Sequence, residues 1–348
     1  MSMVINALGV LDDPNVVTQD ALVQSSDQLT ISERTLADAH ASGVTAINVT
    51  LGYTMGDFPP YEHTLREIET WDAIIARHPA DLMRVDTAED LAEAERRGLI
   101  GIIYGFQNGA AVEDRPERVA TFAERGVRII QLTYNQANQL GDGSMAPENR
   151  GLTPLGRDVV AALNEQRLMV DLSHSGERTC LEAARISAQP VSINHTGCRA
   201  LVDLPRNKSD EELRLVAESG GFVGIYFMPF LNASGHATAQ DVVEHVVHAV
   251  NVCGEDHVGI GTDGSITPID DLDAYRERLA EHVAARQAAG ASAAGERADT
   301  YPFVADLRGV DQFRELARLL EGRGYSATRI EKILGLNFYT YAKAVWGK

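Results

Sequence analysis

Short apolar, β-branched runs recur along the chain, as MVINALGV, GVTAINVTLG, LIGIIYGFQ, GVRIIQLTY, RLMVDLSH, PVSINH, GGFVGIYFM and HVGIGTD. Between them lie helix-period amphipathic segments such as SERTLADAHASG, TAEDLAEAERRG and TAQDVVEHVVHAV, several opening on Ser, Thr or Asp and closing on Gly. Strands that read as continuous apolar runs and alternate with helices belong to a parallel sheet covered by those helices. Eight such units within roughly 250 residues predict a TIM-like (β/α)8 barrel with a C-terminal helical tail. An open dinucleotide-binding sheet would want a GxGxxG turn after the first strand, and residues 4–20 hold none.

No Pro/Ser/Gly-rich linker divides the chain, so residues 1–348 read as one domain. Residues 272–300 are polar and Ala-rich and predict a helix followed by a mobile surface loop, part of an insert or lid over about 270–302. The tail, 304–348, carries apolar residues at helical spacing and is expected to pack across the barrel, with Asn337 in its middle needing a hydrogen-bond partner. Composition adds exclusions. Acidic residues outnumber basic ones by 50 to 31, for a net charge of −19, which repels phosphate backbones and anionic lipid, so a small-molecule substrate is expected and nucleic acid and membrane are not. Three cysteines without a CxxC pair supply neither a disulfide framework nor a zinc knuckle. The N-terminus lacks a basic region and cleavage site, so a cytoplasmic setting is expected. The apolar tail permits a homodimer.

In such a barrel chemistry sits at the C-terminal strand ends. The polar residues there are Gln107 and Asn108, Tyr134 and Asn135, His174, His195 and Asp263. Two histidines and an aspartate at three strand ends suit a metal site whose ligands come from separate strands. His245 and His248, as HVVH on one predicted helix, lack the Glu of a zincin and read as a solvated face. His40, His63, His78, His236, His257 and His282 fall on helices or loops with no partner in view, and Cys198 beside His195 reads as incidental.

The blocks DLSHSGERT, PVSINHTGCRAL, PRNKSDEEL and HVGIGTDG, with ILGLNF near the end, resemble the membrane (renal) dipeptidase family of the metal-dependent amidohydrolases over roughly residues 98–345. GFQN and RNKSDEEL resemble a divergent bacterial branch of it more specifically. The resemblance implies that His174 and His195 hold one metal of a binuclear zinc pair. By the same match Arg206 binds the substrate carboxylate, and Asp263 shuttles a proton between the hydrolytic water and the leaving amine. It also exposes departures. Where the family places His-x-Asp on the first strand, this chain has Leu8 and Val10; the bridging carboxylate falls on Gln107, and the histidine that faces the tetrahedral intermediate falls on Tyr134.

Losing two carboxylates and an imidazole removes the charge that offsets a second dication, so at most one zinc ion is expected, on His174 and His195, or none. Gln107, Tyr134 or Asp263 could be further ligands, and Asp12 or Asp13 just beyond the first strand could replace the missing ones. The functional expectation is a hydrolase of a small carboxylate-bearing amide or peptide-like compound. Asp263 and Tyr134 would be catalytic, and Arg206, Gln107 and Asn135 would bind substrate. Two alternatives stay open, namely a metal-independent lyase or decarboxylase-type enzyme on the same barrel and a non-catalytic pseudo-hydrolase.

Overall fold

The computed structural model describes residues 3–16, 31–288 and 292–347, and within them every expected apolar run forms a strand. The strands are β1 (Ile5–Gly9), β2 (Ala46–Thr50), β3 (Leu82–Arg84), β4 (Ile100–Phe106), β5 (Val127–Gln131), β6 (Met169–Asp171), β7 (Ser192–Thr196), β8 (Phe222–Ile225) and β9 (Val258–Ile260). All pair in parallel, in the order β1-β2-β4-β5-β6-β7-β8-β9, and helices fill the crossovers. β3 is an addition to the expected eight. It pairs with Ile100–Ile102 on the flank of β4 that β5 takes over from Tyr104 onward. Three residues, LMR, are too few to show a period, which is why the sequence pattern misses it.

The helix ends follow their local chemistry. Thr87 caps Ala88–Arg97 in a reciprocal box with Asp90, and Gly98 ends that helix in the left-handed conformation that glycine adopts without a Cβ clash. Ser209 and Glu212 form the same box on Asp210–Glu218.

The eight barrel strands form a nearly closed cylinder, its seam lying between β1 and β9. Here a full ladder is replaced by a few contacts. Asp263 N–H donates to the Leu8 carbonyl at 2.9 Å, Val10 N–H donates to the Gly264 carbonyl at 3.1 Å, and Val10 bridges to Ser265. Buried Asn6 adds a two-way clasp, its Oδ1 accepting from Thr262 N–H and its Nδ2 donating to Thr262 Oγ1, both at 2.8 Å. The positions that resemble the family's first ligand pair, Leu8 and Val10, are thus part of the closure.

The tail seals the N-terminal end of the barrel. From the helix Asn337–Trp346, Phe338 meets Phe222 edge to face at a centroid distance of 5.2 Å and Tyr341 stacks on it at 6.1 Å. Asn337 finds the partners it needs, donating to the carbonyls of Glu255 at 2.7 Å and Val258 at 2.8 Å. Gly335, in the π turn Lys332–Leu336, lies so close to β1 that a Cβ there would sit 2.3 Å from the Met3 carbonyl oxygen. Among the described residues no helix is long and apolar enough to cross a membrane.

Candidate active site

At the C-terminal ends of the strands a cavity of about 480 Å³ opens, a size that suits a small ligand. Gln107, Tyr134, Asn135, His174, Arg206 and Asp263 all line it, so the structure gathers six of the seven expected site residues around one cavity. The seventh, His195, is fully buried directly behind His174. Asn108 is turned away to cap a short helical turn, accepting from Ala110 N–H at 3.1 Å, and to tie Asn138 and the Thr54 carbonyl.

The histidine pair is built as a chain. Asn135 Oδ1 faces His174 Nδ1 at 2.7 Å, and His174 Nε2 faces His195 Nε2 at 2.9 Å. With Asn135 Oδ1 accepting, His174 carries its proton on Nδ1, so the proton between the rings belongs to His195. His195 Nδ1 is then bare, and it is a buried nitrogen with no hydrogen-bond partner. Burial holds both imidazoles well below their ordinary pKa, and Arg206 and Lys208 push in the same direction. Both are neutral. Beneath them Asp171 Oδ1 accepts from Ser173 N–H, Ser173 Oγ and Asn194 N–H, and Ser173 Oγ in turn receives His195 N–H at 3.1 Å. This network fixes the ends of β6 and β7 to each other.

Tyr134 lies almost parallel to the His174 ring at 4.3 Å between centroids. Burial pushes its hydroxyl pKa up, so it stays protonated, while Arg286 donates a hydrogen bond to it. Arg206 is 2% exposed and donates to the Ser173 carbonyl at 2.6 Å; no carboxylate lies within ion-pair distance of it among the described residues. Asp263 stands at the end of β9 with φ of 55°, a left-handed conformation unusual outside glycine, and burial raises its pKa to about 6 against the opposing pull of Arg206 and Arg286. Gln107 donates from Nε2 to Thr50 Oγ1 at 2.7 Å, its carbonyl receiving Gln131.

Two neutral imidazoles, one of them oriented by an outer acceptor, are of the chemistry that could supply two ligands to an ion. Among the described residues no three of His, Cys, Asp and Glu gather as a metal site, and Arg206, Lys208 and Arg286 make the surroundings cationic. Asp12 does reach the cavity, but its carboxyl, raised by burial, accepts from Ser265 Oγ at 2.6 Å, and Asp13 accepts from Asn15.

Several site residues escape the sequence pattern. Arg278, His282, Arg286, Glu296 and Arg308 reach the cavity from the polar segment after β9. That segment forms the helix Leu272–Ala288, of which only Leu279 and Val283 are buried, and Glu296 returns to pair with Arg286 at 2.8 Å. Residues 289–291 of the expected loop lie outside the described residues. HVVH also differs from expectation. His245 is buried, its Nδ1 accepting from Cys198 N–H at 2.8 Å and its Nε2 donating to the Leu231 carbonyl at 3.1 Å, and burial lowers its pKa to about 4. Only His248 keeps a half-exposed place, 2.8 Å from Asp210.

A parallel barrel with polar residues gathered at its strand ends has the layout common to TIM-barrel enzymes. Within that class, the family model described as membrane dipeptidase (peptidase family M19) matches residues 42–287, and the chain belongs to this family. A solved structure described as a dipeptidase and metallopeptidase of family M19 shares the fold, with a TM-score of 0.77 at 20% identity over 99% of each chain. The chain is 28% identical to dipeptidase tcpJ of Claviceps purpurea over 278 residues, covering 79% of this chain and 58% of that protein. It is 30% identical to an uncharacterised dipeptidase of Schizosaccharomyces pombe, over 60% of this chain and 52% of the relative. The matched part thus spans about half the length of these curated relatives. Among solved structures, an amidohydrolase from Pseudomonas aeruginosa superposes with a TM-score of 0.82 at 30% identity, covering 100% of this chain and 97% of that one. A Rhodobacter sphaeroides metallopeptidase liganded with a phosphinate mimic of the dipeptide L-Ala-D-Ala shares the fold, with a TM-score of 0.76 at 19% identity over 99% of each chain.

Proposed function

We propose that the protein hydrolyses a small amide or peptide-like compound that carries a carboxylate, with at most one zinc ion. The observation that carries this reading is the buried Arg206, which has no carboxylate partner among the described residues and opens onto the same cavity as the Asp263 carboxyl. An unpaired buried guanidinium is costly, and a bidentate substrate carboxylate is the group that best satisfies it. Asp263, ionised above its pKa of about 6, takes a proton from the attacking water and returns it to the leaving amine. Tyr134, neutral and already receiving a hydrogen bond from Arg286, directs its own O–H at the oxygen on which negative charge develops. Gln107 and Asn135 flank the substrate as neutral hydrogen-bonding groups. The facing Nε2 atoms of His174 and His195 would hold the ion, which when bound lowers the pKa of a water.

Elemental analysis with amide-hydrolysis assays on wild type, Asp263→Asn and Arg206→Lys tests the reading. One equivalent of zinc or less is expected, with activity reduced more than 100-fold in Asp263→Asn and KM raised about tenfold in Arg206→Lys. Two equivalents, or full activity in Asp263→Asn, would refute it. The proton shared between the two Nε2 atoms, with no third His, Cys, Asp or Glu gathered beside them among the described residues, favours a second reading, a metal-independent lyase in which Asp263 moves protons. Its mark is activity that survives prolonged chelation while amides remain uncleaved.

A further inference from the structure

Charge is distributed unevenly between this molecule and its cavity. The chain carries a net −19, yet the cavity is lined by Arg206, Arg278, Arg286, Arg297 and Arg308 against three acids, Asp12, Asp263 and Glu296. Glu296 is committed to Arg286 at 2.8 Å, and Arg297 is held by Asp299. Three guanidiniums are left. Arg206, Arg278 and Arg308 have no carboxylate within ion-pair distance among the described residues, and the buried Nε of Arg308 has no hydrogen-bond partner at all. They come from distant parts of the chain. Arg206 lies on the barrel side, in the loop after β7, whereas Arg278 and Arg308 belong to the segments that follow β9. Arg308 is also steadied over the Phe303 ring at 5.7 Å, and Arg278 over Tyr275 at 5.8 Å, which lowers the entropy lost when either grips a ligand.

One carboxylate on Arg206 leaves Arg278 and Arg308 without an ion-pair partner among the described residues. We propose that the ligand of this cavity is dianionic, an amide or peptide-like compound bearing an acidic side group, with one carboxylate on Arg206 and the second between Arg278 and Arg308. This inference rests on the assignment of Arg206 as a carboxylate clamp and adds the second anionic subsite to it. Neutral-tailed monocarboxylates satisfy only half of the cavity, and cationic ligands are repelled. A protein whose overall field repels anions gains selectivity in this way, since only a ligand with both charges recovers the cost of approach.

Calorimetric titration of the intact protein with succinate, glutarate and adipate, and with the monocarboxylates of equal length, tests the proposal without relying on turnover. At least one dicarboxylate is expected to bind tenfold or more tightly than its monocarboxylate partner. That ratio should fall toward one in Arg278→Gln/Arg308→Gln, with monocarboxylate affinity changed by less than threefold. It should also shrink in the unmutated protein as sodium chloride is raised, a readout that stands even where the double variant fails to fold. Equal affinities for the paired ligands, no binding of any dicarboxylate, or a ratio that survives both salt and the double substitution would overturn the second subsite. Arg206→Gln separates the two ideas. Loss of all carboxylate binding there supports the clamp whatever the ratio, and wild-type binding there refutes the clamp itself.

Discussion

Asp263 combines two costs in one residue. Its backbone sits at φ of 55°, and its carboxyl is held at a pKa of about 6 by burial. Strained backbone and a displaced pKa at a strand end in a cavity are the marks of a site kept for chemistry, and Asp and Asn tolerate this conformation better than Ala does. The rate should therefore rise with pH through about 6 as the base ionises. Arg286 opposes the rise in that pKa, so Arg286→Gln should move the acidic limb of the pH–rate profile upward, which kcat/KM measured from pH 4 to 9 would show. A limb that stays or moves down contradicts the assignment. Stability follows with the opposite sense. Because the folded pKa lies above the unfolded value of 3.8, the native state favours the protonated form, and that contribution, full below 3.8, is lost as pH rises through about 6. Asp263→Asn should then be more stable than wild type at pH 8, by about 1–2 kcal/mol after screening by solvent in the cavity, and lose that advantage at pH 4. Thermal denaturation at the two pH values measures it.

Elements differ in how plainly their sequences announce them. Runs such as IGIIYGF in β4 are apolar throughout because both faces of a barrel strand are covered, and that pattern needs no knowledge of neighbours. For the same reason His174, His195 and Asp263 could be placed, since each simply ends such a run. The insert gave no comparable signal. Its helix Leu272–Ala288 turns arginines inward toward a cavity instead of leucines toward a core, so Arg278 and Arg286 look like surface charge until the fold places them over the strand ends. His245 failed as a sequence reading for a related reason, because the Cys198 N–H and Leu231 carbonyl that satisfy it are remote in the chain. The seam between β1 and β9 is an element-level feature with its own test. Asn6→Ala removes both hydrogen bonds to Thr262 and leaves buried groups unsatisfied, which should cost about 2–4 kcal/mol in urea denaturation. A loss below 0.5 kcal/mol would mean that the backbone contacts alone hold the barrel shut.

Across the whole molecule, the C-terminal tail does what the seam alone cannot, since it presses on β1 from below. Gly335→Ala would drive a methyl into the Met3 carbonyl, and the expected result is a destabilisation of more than 2 kcal/mol with reduced soluble yield. Wild-type stability in that variant would show that the tail can step away at little cost. The contact joins residues separated by almost the entire chain, and the clasp from Asn6 to Thr262 spans 256 residues of it. Synthesis runs from the amino end at roughly 5–20 residues per second, so β1 waits on the order of tens of seconds on the ribosome for the partners that cover it. During that interval MVINALGV has β2 on one side and an open, apolar edge on the other. The nascent barrel is therefore exposed to chaperones and to aggregation until its last helix has been made.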